Sequence, residues 1–150
     1  MTRVFRTQTL AQQRRRLLQM LAQTVRALAQ HGRFDDQARD MLAFLILTLE
    51  EIAATVDTTV TAWEKRDYWL KADQFRLEWE WVTRIARALE AALENEDEAA
   101  LTRALADLTS HLAQVKPPKR PRWGDKPWEG AWRAWQIKRG RRGSTQTPAT

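Results

Sequence analysis

From Leu10 to Val115 the apolar residues return every three to four positions, and between Arg33 and Lys116 there is neither glycine nor proline. That is the period of amphipathic α-helices, carried by a composition rich in the good helix formers Ala, Leu, Glu, Arg and Gln. A first helix is predicted over about 9–30, with Leu10, Leu17, Leu21, Val25 and Leu28 on one face and Gly32 as its C-terminal stop. Asp35 or Asp36 caps a second helix. Its segment MLAFLILTLEEIAATV, from Met41, is apolar almost all round at its start, the mark of a helix at the centre of a bundle.

The β-branched stretch Val56-Asp57-Thr58-Thr59-Val60-Thr61 is poor in helix propensity. The apolar spacing nevertheless runs through it, by way of Leu49, Ile52, Val56, Val60 and Trp63. No residue with a strong turn preference interrupts, so the pattern favours one long, bent helix over 36–94 rather than two.

At about 100° per residue, Trp63, Leu70, Leu77, Trp81, Ile85 and Ala88 form one stripe. Tyr68, Phe75, Trp79, Val82, Ala86 and Leu93 form a second. Two stripes call for two neighbours: two helices, or one helix and a second copy of the chain. The polar seam Asp67, Lys71, Gln74 and Glu78 lies between them. Asn95 then ends the helix, and Asp97 caps another that carries the narrow seam Leu101, Leu105, Leu108, Leu112 and Val115. Pro117 and Pro118 terminate it. The fold expected is all-α: an antiparallel bundle of three or four helices over 1–115, followed by a Pro/Trp/Arg-rich extension over 116–150.

That extension reads KPPKRPRWGDKPWEGAWRAWQIKRGRRGSTQTPAT, with all five prolines, four of the eight tryptophans, and ten Lys/Arg against two acids. A short helix is predicted near 127–139, with Pro127 in its first turn and Gly140 at its end. Trp128, Trp132 and Trp135 then share one face, with Arg139 beside them. Gly130 weakens this helix, so it needs a surface to form against. The end from Arg141-Arg142-Gly143 onward is expected to be mobile.

Charge changes the picture through its segregation rather than through its total of +6. Residues 1–34 hold seven arginines and no acid. Residues 35–115 hold eight Lys/Arg and seventeen acids, and the extension is basic again. The basic ends either neutralise the acidic middle or stay free to meet an anionic partner.

Candidate chemistry is sparse. The chain has no cysteine, which excludes disulfides, thiolate metal sites and cysteine nucleophiles. Its two histidines, His31 and His111, stand outside any Glu-x-x-His arrangement, and the bundle has no glycine-rich phosphate loop. No cofactor, metal or small-molecule substrate is therefore expected. A helical enzyme using Asp67 and Glu78 of the polar seam is the weakest of the readings. There is no secretory signal pattern, and the longest apolar run, Met41 to Leu47, falls far short of the roughly twenty residues of a membrane span, so a cytoplasmic protein is expected. The function expected is non-catalytic binding or assembly with a protein partner or a second copy. The contact residues are Arg120, Arg122, Trp123, Trp128, Trp132, Arg133, Trp135 and Arg139, with Trp69 as a second anchor. The rival is a nucleic-acid or anionic-membrane contact made by the same extension.

Overall fold

The computed structural model describes residues 9–146, with side chains up to residue 142. Among these residues there are five α-helices and no strand: α1 (Leu10–His31), α2 (Asp36–Lys65), α3 (Trp69–Glu94), α4 (Glu98–His111) and α5 (Ala131–Gln146). Local chemistry sets the ends of α1. The Thr9 hydroxyl accepts from the Gln12 amide while the Gln12 side chain accepts from the Thr9 amide, a reciprocal cap. Gly32 closes the helix at φ 70°, a left-handed conformation that costs glycine little. Asp35 opens α2 by accepting from the Ala38 amide at 3.0 Å.

The single helix expected over 36–94 is two helices. α2 stops at Lys65 and α3 starts at Trp69, because Asp67 takes a left-handed φ of 62°. The Tyr68 amide donates to the Trp63 carbonyl at 2.9 Å and the Asp67 amide to Glu64 at 3.0 Å. This pair of bonds is the Schellman termination usually built on glycine. The chain repeats it between α3 and α4, where Glu96 has φ 51° and the Asp97 and Glu96 amides donate to the Ala92 and Leu93 carbonyls. Asp97 then caps α4 through the Ala100 amide. Both turns use an acidic residue where a glycine would have announced them.

α2 is central, packing against α1, α3 and α5, while α4 packs on α3 and also touches α1. Leu42, Leu45, Ile46, Leu49 and Ile52 of α2 meet Leu17 and Leu21 of α1, Val82, Ile85 and Leu89 of α3, Leu108 of α4 and Trp135 of α5 in one core. α4 has 14 residues against 26 in α3, about 21 Å against about 39 Å. It covers α3 only as far as Trp81, whose ring stacks on His111 at 4.4 Å, and Arg84, which pairs with Asp107.

The extension, a region of its own by composition, supplies the fifth helix of the bundle. Ala131 and Trp135 belong to the same core as Leu42 and Leu49. The helix begins later and runs further than 127–139: Trp128 lies in the turn before it, and Gly140 sits inside it. Asp40 of α2 explains the start. Its carboxylate accepts from the Gly130 amide at 3.3 Å and from the Trp132 amide at 2.9 Å, capping α5 from another helix.

Candidate contact surfaces

The aromatic face of the extension is spent largely on the chain's own bundle. Trp135 is 0 % exposed, Trp128 is buried, and Trp132 is half-buried with its ring 5.4 Å from that of Trp135. Arg139 lies over the Trp135 ring at 4.5 Å and pairs with Glu94 of α3. Lys138 and Arg142 both reach Glu50 of α2, at 3.3 and 3.8 Å. As placed, Trp128, Trp135 and Arg139 hold α5 down and offer little to a partner, because a hydrophobic ring with matched cations around it is most stable against an acidic, apolar helix face. Arg133 is exposed and makes no ion pair among the described residues.

The preceding segment behaves differently. Trp123 is half-buried, and its indole N–H donates to the Gln23 side chain at 2.6 Å. The Gln23 amide nitrogen donates in turn to the carbonyls of Gly124 and Asp125, each at 3.2 Å. One α1 glutamine thus pins the segment. Lys116 stands across a shallow depression of about 290 Å³ from Arg15 and Gln19 of α1. Lys116, Lys119, Arg120 and Arg122 are exposed and make no ion pair among the described residues.

A third surface lies on the first half of α3, where α4 has run out. Tyr68 is exposed, Trp69 is 55 % exposed, Leu70 73 % and Leu77 74 %. Leu70 and Leu77 are the two large members of the first stripe left exposed, along with the small Ala88, whereas Trp81 and Ile85 of that stripe are buried. The second stripe behaves as its spacing requires from Phe75 onward: Val82 and Ala86 are buried and Phe75, Trp79 and Leu93 pack on the core. Trp69 has no cationic side chain over its ring among the described residues; Lys71 lies instead over Trp63 at 4.8 Å. The polar seam Asp67, Lys71, Gln74 and Glu78 is exposed along its length.

Arg14 is the functional-looking residue that the periodicity passed over. It is 8 % exposed, sits on the leucine face between Leu10 and Leu17, and forms no ion pair among the described residues. Its Nη1 donates to the Thr55 carbonyl and to the Thr55 and Thr59 hydroxyls at 3.1–3.4 Å, and its guanidinium lies over Phe75 at 4.9 Å. Burial lowers its pKa from the usual guanidinium value, with the Glu78 charge acting the other way. The neutral oxygens and aromatic faces make it a tie between α1, α2 and α3. A cation at a position that spacing assigns to leucine was the available signal.

A wider open groove of about 740 Å³ runs between α5 and the α3–α4 turn, lined by Phe34, Leu101 and Trp132 together with Glu96, Asp97 and Glu98. Arg39 covers Phe34 at 5.4 Å. The groove contains no histidine or paired nucleophile and base. Among the described residues no group of three His, Asp or Glu side chains is placed to hold a metal ion, and no helix is long and apolar enough to cross a membrane. His31 is tied to Asp35 at 2.7 Å, and His111 to the Trp81 ring. No protein-family model, no curated protein and no solved structure matches this chain.

Proposed function

We propose that this chain is a non-catalytic assembly protein that pairs with a second copy of itself through the first half of α3. The observation that carries the reading is the length mismatch between α3 and α4, which leaves Leu70 and Leu77 uncovered while Trp81 and Ile85 of the same stripe are buried. The spacing suits a two-fold pair. Leu70 and Leu77 are two turns apart on one face, so an antiparallel copy sets each Leu70 against Leu77 of the second chain. The same register brings Lys71 alongside Glu78 of the second copy, and the reverse, so the seam beside the stripe is complementary to itself. Trp69 and Tyr68 extend the apolar contact at each end.

Sedimentation equilibrium of the full chain tests this. A concentration-dependent dimer is expected, reduced to monomer by Leu70→Asp with Leu77→Asp while far-UV circular dichroism stays unchanged. Lys71→Glu should weaken the dimer, and Lys71→Glu combined with Glu78→Lys should restore it. A wild-type chain that stays monomeric at high concentration, or a dimer indifferent to Leu70 and Leu77, overturns the reading.

A further inference from the structure

The described ion pairs of this protein are unevenly placed. Several cations on α3 and α5 meet acids: Arg76 with Glu64 and Asp73, Arg84 with Asp107 and Glu80, Arg139 with Glu94, and Lys138 and Arg142 with Glu50, while Arg87 and Arg133 form no ion pair among the described residues. The hydrogen-bonded partners raise the Arg76 and Arg84 pKa values above the usual guanidinium range. On α1 the pattern reverses. Residues 1–34 contain no acid at all, and neither do residues 116–124. The fold lays the second segment along the first, held by the Trp123–Gln23 hydrogen bond and the two carbonyl bonds from Gln23.

Two like-charged segments side by side repel, and a fold that holds them together by neutral hydrogen bonds leaves their charge for something outside. Arg15 and Arg26 lie on one face of α1, eleven residues and about 16 Å apart, and both are exposed. Lys116 borders the same depression as Arg15, and Lys119, Arg120 and Arg122 follow it in the proline-punctuated strand. Over about 16 Å of axis a nucleic-acid duplex presents about ten phosphate charges, the scale of the six exposed cations that the two segments carry. Arginine and lysine on an extended strand reach phosphate oxygens without any base-reading element.

We infer that Arg15 and Arg26 of α1, together with Lys116, Lys119, Arg120 and Arg122 of the pinned strand, form a surface for the phosphate backbone of a nucleic acid, bound without sequence preference. A membrane surface fits less well. Insertion needs free apolar anchors, and the large exposed apolar side chains are Phe34, Tyr68, Trp69, Leu70, Leu77 and Ile137, none of them in the strand. Trp123, the strand's one large apolar residue, has its indole N–H committed to Gln23.

The test is fluorescence anisotropy of the full chain with a labelled DNA duplex of arbitrary sequence, titrated at several salt concentrations. Lys119→Gln/Arg120→Gln/Arg122→Gln removes three exposed charges from the strand. Arg76→Gln/Arg84→Gln/Arg103→Gln removes the same net charge from α3 and α4 and serves as the matched control. For the wild type the logarithm of affinity should fall linearly with the logarithm of salt, and the strand variant should reduce that slope by about 2–3, since each lost phosphate contact removes about 0.9. The control should keep the wild-type slope. The inference is overturned by absence of duplex binding, by equal losses in both variants, by poly-glutamate competing as well as duplex at equal charge, or by phosphatidylserine vesicles capturing the chain as tightly as duplex does.

Discussion

The two halves of the C-terminal segment are made of the same materials and meet opposite fates. Residues 116–127 and 128–142 both combine tryptophan with Lys and Arg. In the second half Trp135 enters the core and Lys138, Arg139 and Arg142 find acids on α2 and α3. In the first half Trp123 makes one side-chain hydrogen bond to α1, and the cations around it find none among the described residues. The difference lies in the receiving helix. α2 and α3 offer Asp40, Glu50 and Glu94. α1 offers no acid. A Trp/Arg segment is therefore not intrinsically a docking arm or a binding arm, because the charge of the surface it lands on decides which.

The sharpest way to break this comparison is to truncate one tryptophan in each half. Trp135→Ala empties a fully buried site and should cost about 3–5 kcal/mol in urea unfolding. Trp123→Ala gives up a half-buried ring and one hydrogen bond, and should cost clearly less. Equal losses would mean that the strand is as much a part of the core as α5.

A smaller effect sharpens the role of the receiving acid. Asp40→Ala leaves the Gly130 and Trp132 amides without their cap, and about 1–2 kcal/mol should be lost. Amide hydrogen exchange should show the loss as faster exchange in α5, with α3 and α4 protected as before. Uniformly faster exchange would show that α5 does not open as a separate unit.

The smallest effect concerns the one described place where the basic N-terminal block pairs with an acid. Asp35 accepts from the Ala38 amide and from His31, and Arg33 lies close by, so its carboxyl is held down at about 2. A depressed folded-state value stabilises above the unfolded value of about 4 and is lost as pH falls from about 4 towards 2. Asp35→Asn should flatten the fall in urea midpoint across that window. A fall as steep as in the wild type would show that the Asp35 contacts add nothing to acid stability.

Much of the helical framework was legible in the chain because its signals are local. Gly32, Asp35 and Asp97 mark helix ends by the chemistry of their own side chains or backbones, and the apolar run from Met41 marked α2 as central. The break at Asp67 was hidden, since an acid in a left-handed conformation leaves no glycine to read. The start of α5 was hidden for another reason: its cap comes from Asp40, ninety positions upstream of Gly130. The wheel put Trp128, Trp132 and Trp135 on one helix, whereas Trp128 lies in the turn before α5 and only Trp132 and Trp135 stand on it, and it said nothing of which helix would receive them. Arg14 was obscured by the assumption that a leucine-spaced face is apolar throughout, when a guanidinium can be satisfied by threonine oxygens and aromatic rings.

The cap from Asp40 also has a consequence for how the chain assembles over time. Helices α1 to α4 meet mostly their neighbours in sequence, the kind of contact that forms early. α5 must close a loop of about ninety residues before its amides reach their carboxylate. During synthesis α2 therefore emerges with the seat for Trp135 unfilled, and it stays so until α5 has been made. A chain interrupted before Trp135 would present to its surroundings the apolar surface that α5 conceals.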